Sequence, residues 1–548
     1  MEEAVFRDNP ITGTRQLIHF RHTYDRDQDV ARSAFGDMLH DEERNNKYHL
    51  ALCEAIDTVH QFGARAIVLD IGTGSGLLAM MAAAHGAEVV YACEAFQPVA
   101  KCAEDVMQDN GLRERIHLIP KNSTDLVVGP GKDMEEKANI IVAEVFDTEL
   151  VGEGAIDTFA DALNRLAQPG CITVPHAATV YAQVVESSLL RSYQIPNPIQ
   201  VTPELEVEVP ASVRTCPGLP SANDIQLSQL QPDDFVCVTD PKPVFRFGFS
   251  DIETMNPAEE SSLVCLTSKV DAMCQVVVMW WELKMNPSDS IHLSCAPYWA
   301  HPSGINQPWR DHWMQAVYYP PYEVYVHANE KFSLVVRRKR FNLCVLISLS
   351  PTPKMPEMPF CRCPLHNHVS RTRIGALGDR SRHAKYAAAL RKVINKDSVC
   401  LCIGSDIMLP MMASMLGAKE VYVVVEDSHD VHSLLEEYTK QNDIWNIVRI
   451  TKDALCLSVQ DVMKKASVLL GEPHFSTSIL PWDNLKFWFL KRSLQHLMGP
   501  PDSIVTIPRF FCLKAVAVHL RDLWKIKARI EAVEGFNLSS FGRLVQVR

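Results

Sequence analysis

A chain of 548 residues is longer than one core usually grows, since single cores stop near ~250 to 300 residues, so at least two globular units are expected. Its 47% hydrophobic and 22% charged residues exclude wholesale disorder and fibrous repeats. A formal net charge of -12 argues against direct nucleic-acid binding, which needs a basic footprint, and suits a basic partner.

The opening MEEAVFRDNPITGTRQ lacks the basic start and apolar stretch of a secretory signal. The most apolar windows, 67–92 and 399–425, are broken by Asp70, His85 and Glu88 and by Asp406, Lys419 and Glu420, so no membrane span is expected. Sixteen cysteines without framework spacing point to free thiols in a reducing compartment, and a cytoplasmic and nuclear location is the expectation.

Residues 1–50 are expected as a helical segment over a ligand site. From Ala64, ARAIVLDIGTGSG reads as an apolar strand entering a glycine-rich turn, followed by the small-residue helix LLAMMAAAHG and a second strand, EVVYACEAF. Further strands are expected at Arg115–Ile119 and Asn139–Ala143, so 51–169 should form a parallel, doubly wound, Rossmann-like α/β sheet. After Pro169, runs such as CITVPHAATVYAQVVES and CQVVVMWWELKM predict an antiparallel, barrel-like β unit over 170–350, with Pro196–Asp233 as a surface excursion. Proline density makes 351–372 a linker.

Residues 373–548 echo the first part. MLHDEERNNKY (38–48) matches ALGDRSRHAKY (376–386), DIGTGSG matches CIGSDIM, and GAEVVYACE matches GAKEVYVVVE, in the same order. Internal duplication follows, with the second α/β module incomplete.

In the first copy, Asp70, Gly72, Gly74 and Gly76 place small residues where backbone must approach a ligand, and Glu94 closes the second strand as a partner for ribose hydroxyls. The pattern D-x-G-x-G-x-G favours a methyl donor over a dinucleotide. The stretch EVFDTELVGE, from Glu144 to Glu153, follows the fourth strand, at the sheet end where such folds bind ligands. Two carboxylates can grip a planar guanidinium bidentately from two sides and localise its charge away from one nitrogen. Glu153 is the candidate proton acceptor. Asp147 and Glu149 are either solvated loop residues or recognition groups for basic neighbours of the target.

These motifs, MLHDEER, VLDIGTGSG, EVFDTELVGE and RDHWMQ, together with the duplication, resemble the protein arginine methyltransferase family, and most closely its monomethylating type. The resemblance implies S-adenosyl-L-methionine as donor, with Arg44 at its carboxylate and Asp70, Gly72 and Glu94 at its methionine and ribose parts. It implies Glu144 and Glu153 on the substrate guanidinium, Met38 lining the pocket, and His312, Trp313 and Gln315 as the far wall. It also implies basic Arg-x-Arg protein segments such as those of histones as substrates, and two modules forming an internal pseudo-dimer. The rival reading is a non-catalytic interaction protein.

Cys361, Cys363 and His366 form C-x-C-x-x-H, a spacing able to hold a tetrahedral zinc, and the resemblance includes a structural zinc at this linker. His368, His301 and His312 are the candidate fourth ligands, with His312 favoured. In the second copy Asp406 and Met408 replace Gly74 and Gly76, while Glu472 stands for Glu144 and Pro481 for Glu153. That cradle is expected closed and its clamp broken.

Overall fold

The computed structural model describes residues 2–8, 15–21, 35–218, 221–253, 255, 260–353, 361, 363–404, 406–424, 429–450, 456–473, 484–500, 503–520 and 522–545. The chain folds as two compact units that do not follow the linear boundaries expected from its sequence. The first unit comprises His22–Ser187, Pro220–Met358 and Val518–Arg548, and the second comprises Met1–Arg21, Ser188–Leu219 and Pro359–Ala517.

In the first unit, five strands form a parallel sheet in the order Ile116–Ile119, Val89–Cys93, Ile67–Ile71, Ala138–Ala143, Ala167–Val174. Each is a short run of branched apolar residues, as strands buried on both faces require. The chain leaves Ile67–Ile71 toward one side and returns on the other at Ala138–Ala143, so a crevice opens at the carboxyl ends of these two strands. Ala167–Val174 pairs in parallel with Ala138–Ala143, so the α/β sheet runs five residues past the expected boundary at 169. The helix Leu77–Ala84 is buried from Leu77 to Ala83, and its four alanines let it lie close to the sheet.

Beyond it, a seven-stranded antiparallel sheet is centred on Ala177–Glu186 and Val276–Lys284, accompanied by a three-stranded sheet of Glu260–Thr267, Lys331–Lys339 and Asn342–Ser348. The end of the chain also belongs to this unit. Ile530, Val533, Leu538 and Phe541 enter its core, and the Phe541 ring meets that of Phe35 at 5.4 Å.

The second unit holds another five-stranded parallel sheet, Ile447–Ile450, Glu420–Val424, Val399–Ile403, Val468–Gly471, Val505–Ile507, with the same strand order. The expected surface excursion Pro196–Asp233 divides instead: its first part, within Ser188–Leu219, belongs to this unit, and the rest, from Pro220, to the first. Ile199, Val201, Val207, Val209 and Val213 are buried with Leu390, Met411 and Leu434 in this unit's core, because alternating valines give the segment an apolar face that needs cover. Residues 1–50 are likewise not uniformly helical: Glu2–Asp8 and Arg15–Arg21 pair as an antiparallel hairpin, and among the described residues the first helices are Phe35–Leu39 and Glu42–Gln61.

Gly76, the N-cap of Leu77–Ala84, has φ of 84°, and a Cβ there would lie 2.8 Å from Met107 Cε. Gly76→Ala is expected to destabilise the first unit by about 1 to 2 kcal/mol, because a side chain is strained at positive φ. Urea denaturation, with an unchanged midpoint for Gly63→Ala excluded in advance by the same strain at φ 72°, isolates the turn by comparison with an exposed helical control such as Lys101→Ala.

Candidate active site

A cavity of about 520 Å³ lies at the crevice of the first unit, and its walls include Met38, Arg44, Gly72, Gly74, Glu94, Glu144, Asp147, Glu153, His312 and Trp313. The fold therefore brings together residues from the N-terminal helices, the glycine turn, the paired-glutamate loop and the β unit. Four predicted residues stand elsewhere. Asp70 is fully buried behind the turn and accepts a 2.5 Å hydrogen bond from the Thr73 hydroxyl. Gly76 starts the helix beneath it. Gln315 donates to the Cys295 carbonyl and accepts from the Leu227 amide, so it braces the β unit and does not form the wall. Glu149 turns away to accept from the Tyr318 hydroxyl and the Leu343 amide.

The glycine turn can approach a ligand because Gly72 and Gly74 take φ of 72° and 57°. A Cβ on Gly74 would press to 3.1 Å from the Phe35 ring. Both Glu94 oxygens accept backbone N–H groups, from Gly74 at 3.1 Å and Phe96 at 2.8 Å, which fixes the carboxylate at the end of the second strand.

Arg44 Nη2 donates to Glu144 Oε2 at 2.6 Å, with both side chains nearly buried. The guanidinium carbon also lies 5.5 Å from the Tyr48 ring centre and 5.7 Å from that of Trp313. Arg44 Nε, on a residue of the cavity wall, is buried without a hydrogen-bond partner among the described residues. An unsatisfied buried donor beside an open, glycine-lined crevice fits a polar ligand whose own groups complete the set.

The paired-glutamate loop is held from below by two indoles. Trp313 Nε1 donates to the Phe146 carbonyl and Trp281 Nε1 to the Asp147 carbonyl, each at 2.9 Å, and the two rings meet edge to face at 4.8 Å. Inside the loop, Asp147 Oδ1 accepts from the Gly152 amide at 2.9 Å, and Leu150 adopts φ of 69°. Burial, then the carboxylates of Glu144 and Asp147, push Glu153 up to about 7. Burial pushes Asp70 and Glu149 to about 7 as well, against the hydroxyls that bond them.

Sequence reasoning missed the fasteners. Asp37 Oδ2 accepts from the Asp311 amide at 2.6 Å and lies 2.7 Å from His312 Nδ1, while Arg310 Nε donates to Asp41 at 2.5 Å and Arg310 Nη2 to Glu43 at 2.7 Å. Burial works to raise Asp37 and Asp41, but His312 and Arg310 outweigh it and hold both below the ordinary carboxylate range. These contacts tie the helices Phe35–Leu39 and Glu42–Gln61 to the pocket wall. Asp41 and Glu43 stand within MLHDEER, Asp37 just before it, and Arg310 and His312 within RDHWMQ, so the signal was a group of acids matched to cationic side chains far along the chain. Asp224 is a further missed residue of the cavity wall.

His312 is thus engaged within the first unit, and it is not the fourth member of the cysteine and histidine cluster. That place belongs to Cys216, in the second unit. The Cys216, Cys361 and Cys363 sulfurs and the His366 nitrogen all lie within 4.8 Å of one another. Cys216 Sγ is 3.3 Å from Cys361 Sγ, and His366 Nδ1 is 3.0 Å from Cys363 Sγ and 3.4 Å from Cys216 Sγ. His366 Nε2 lies 2.7 Å from the Gln194 carbonyl oxygen. Cys216 travels on the segment that was expected to be surface, which hid it from sequence reasoning. His301, like His312, belongs to the first unit, and the His368 side chain lies outside the described residues.

In the second sheet, Asp406 stands where Gly74 would fall. It accepts the amides of Met408 and Leu409 and faces Arg382 and His383. Glu472, the counterpart of Glu144, pairs with Arg382 and, at 3.0 Å, with Arg373. Pro481 lies outside the described residues.

Residues 49–174 match the family described as ribosomal protein L11 methyltransferase (PrmA), and residues 176–343 match the arginine methyltransferase oligomerization subdomain. The chain is 39% identical over 546 residues to protein arginine N-methyltransferase 7 of Danio rerio, an alignment covering 98% of this chain and 79% of that protein. It is 40% identical over 547 residues to the Bos taurus protein of the same name (97% and 77% covered) and 41% over 544 residues to that of Anopheles gambiae (95% and 78%). The chain belongs to the protein arginine methyltransferase family. It is a protein arginine N-methyltransferase that uses S-adenosylmethionine as methyl donor. Among solved structures, a Trypanosoma brucei PRMT1 enzyme-prozyme heterotetrameric complex with AdoHcy matches with a TM-score of 0.45 and 18% identity, covering 56% of this chain and 90% of that one.

Arg310→Met, which leaves Asp41 charged and buried, is expected to cost about 3 to 5 kcal/mol of stability. Loss of the exposed pair through Arg65→Met should cost about 0 to 1 kcal/mol. Paired urea titrations of the two variants measure the difference.

Proposed function

We propose that this arginine methyltransferase transfers a single methyl group to an arginine side chain in basic protein segments, of the Arg-x-Arg kind found in histones, giving the monomethylated product. The observation that carries the reading is the joint presence, in one cavity, of the glycine turn and the two loop glutamates, with an arginine side chain of the chain itself already seated on Glu144.

The donor presents a methyl group on a sulfonium sulfur. Gly72 and Gly74 leave room for it, Glu94 is placed to accept from ribose hydroxyls, and Arg44 is placed to meet its carboxylate. Glu144 and Glu153 then receive the substrate guanidinium. Two carboxylates draw the positive charge toward the nitrogens they bond, leaving the remaining nitrogen with more of its lone pair and aligned for attack. Glu153, held at about 7 by burial and by Glu144 and Asp147, is the group suited to take the released proton near neutrality. Asp147 and Asp224 line the same cavity and supply negative charge for basic residues that flank the target.

A single methyl transfer is supported by the stiffness of the far wall. His312 and Trp313 are held by Asp37 and by the Phe146 carbonyl, so the wall is poorly able to retreat for a nitrogen that already bears a methyl group.

We propose further that Cys216, Cys361, Cys363 and His366 bind a structural zinc. Three thiolates and one imidazole are a complete tetrahedral set with no open position, and the Gln194 carbonyl accepting from the far ring nitrogen is the usual second partner of a zinc-bound histidine. The ion would join the segment 188–219 to Cys361, Cys363 and His366 of the linker, within the second unit.

Mass spectrometry of an Arg-x-Arg peptide incubated with donor and full chain should show one added methyl per arginine, reduced at least about 100-fold in Glu144→Gln and Glu153→Gln. Two methyls on one arginine would refute the product. The pH dependence of kcat/KM should rise through about 7 as Glu153 loses its proton and then level off, and the limb should vanish in Glu153→Gln. For the metal, elemental analysis should find one zinc per chain, lost in Cys216→Ser and retained in His312→Ala.

A further inference from the structure

The four ligand atoms of the cysteine and histidine cluster are not equivalent. Cys361, Cys363 and His366 are buried, whereas Cys216 is only partly covered, so a small solute meets Cys216 first. Cys216 Sγ lies 3.3 Å from Cys361 Sγ, nearer than the 3.6 Å between Cys361 Sγ and Cys363 Sγ. A disulfide between Cys361 and Cys363 would close a small ring and store strain, because only one residue separates them. Cys216 and Cys361 stand 145 positions apart on two different segments, and their sulfurs need to close only to about 2 Å to bond.

The thiolate that ligates a metal is also the form of cysteine that peroxides attack. The surroundings hold the remaining members in place when one sulfur moves. Cys363 Sγ caps the helix Pro364–His368 by accepting from the His366 amide at 3.5 Å, and Asn367 Nδ2 donates to the carbonyls of Cys361 and Cys363 at 3.2 Å each. Leu365 anchors that helix in the core of the second unit. A change of partner at Cys361 therefore leaves the local fold standing and alters only the ligand set.

Resting on the zinc reading of this cluster, we propose that Cys216 and Cys361 form a peroxide-sensitive pair whose oxidation releases the zinc while the two segments stay joined. The Cys216 sulfur attacks one oxygen of hydrogen peroxide and the O–O bond breaks. The departing hydroxide takes up a proton to become water, and Cys216 is left as a sulfenic acid. The Cys361 sulfur then attacks Cys216 Sγ, so the S–S bond forms as the S–O bond breaks, and this second hydroxide also leaves as water after taking a proton. Each thiolate gives up one electron and the peroxide gains two. Cys363 and His366 remain, too few to complete a closed tetrahedral site. Thiol exchange with a reductant cleaves the bond and restores the set.

The test uses the full chain. Elemental analysis before any oxidation decides the zinc reading by itself, and a chain that binds no zinc sinks that reading and the switch together. A zinc-loaded chain titrated with hydrogen peroxide beside a colorimetric chelator should release one zinc per chain, and unreduced peptide mapping should find Cys216 bonded to Cys361 in step with the release. Dithiothreitol followed by added zinc should restore the metal. Cys216→His keeps a complete ligand set but lacks the accessible nucleophile, so it should hold zinc and release it at least about tenfold more slowly. Replacing the exposed Cys265, Cys456 and Cys512 by serine should leave the release unchanged. With the zinc reading intact, the proposal is overturned if the metal leaves while Cys216 and Cys361 remain unbonded, if Cys361 pairs with Cys363 instead, or if Cys216→His releases zinc as fast as the unaltered chain.

Discussion

The active site depends on carboxylates kept where water cannot fully hydrate them. Glu144, Asp147 and Glu153 share one cavity wall, with Asp70 buried behind it. Charge in such a place is costly unless something cationic or a set of N–H donors meets it. The fold meets part of the demand itself, with Arg44 on Glu144 and the Gly152 amide on Asp147. Among the described residues no such cation meets Glu153, and burial with the neighbouring carboxylates pushes it up to about 7. A cation entering the cavity would meet the remaining demand.

Such an arrangement works only if the carboxylates cannot move apart. The indoles of Trp281 and Trp313 hold the loop by its carbonyls, so they fix the backbone without neutralising the side chains. Asp37 and Asp41, buried but matched by His312 and Arg310, bind the N-terminal helices to the same wall. Ion pairs of this kind give little net stability, because desolvation offsets their attraction, but they fix geometry sharply since either partner alone is strongly disfavoured.

The second copy shows what remains when the cradle is lost. Arg382 still meets Glu472 as Arg44 meets Glu144, yet Asp406 occupies the place of a cradle glycine and uses its carboxylate to cap the following helix. The same sheet order persists. A parallel sheet is maintained by its buried strands, so the fold tolerates a different residue at the turn.

The sequence by itself determined the local elements and the chemical types at the site. Strict runs of branched residues marked the parallel strands, Gly72 and Gly74 marked a turn that only glycine tolerates, and Glu144 and Glu153 marked an acidic loop after the fourth strand, because each signal depends on residues close together in the chain. Tertiary structure decided which distant residues meet. It placed Cys216 with Cys361, Cys363 and His366, turned Glu149 and Gln315 away from the cavity, set Asp37 on His312, and assigned residues 188–219 and 518–548 to units other than those of their neighbours in sequence. Those outcomes turn on which apolar faces and buried charges must be covered. Such demands are satisfied across space, where sequence separation carries no information.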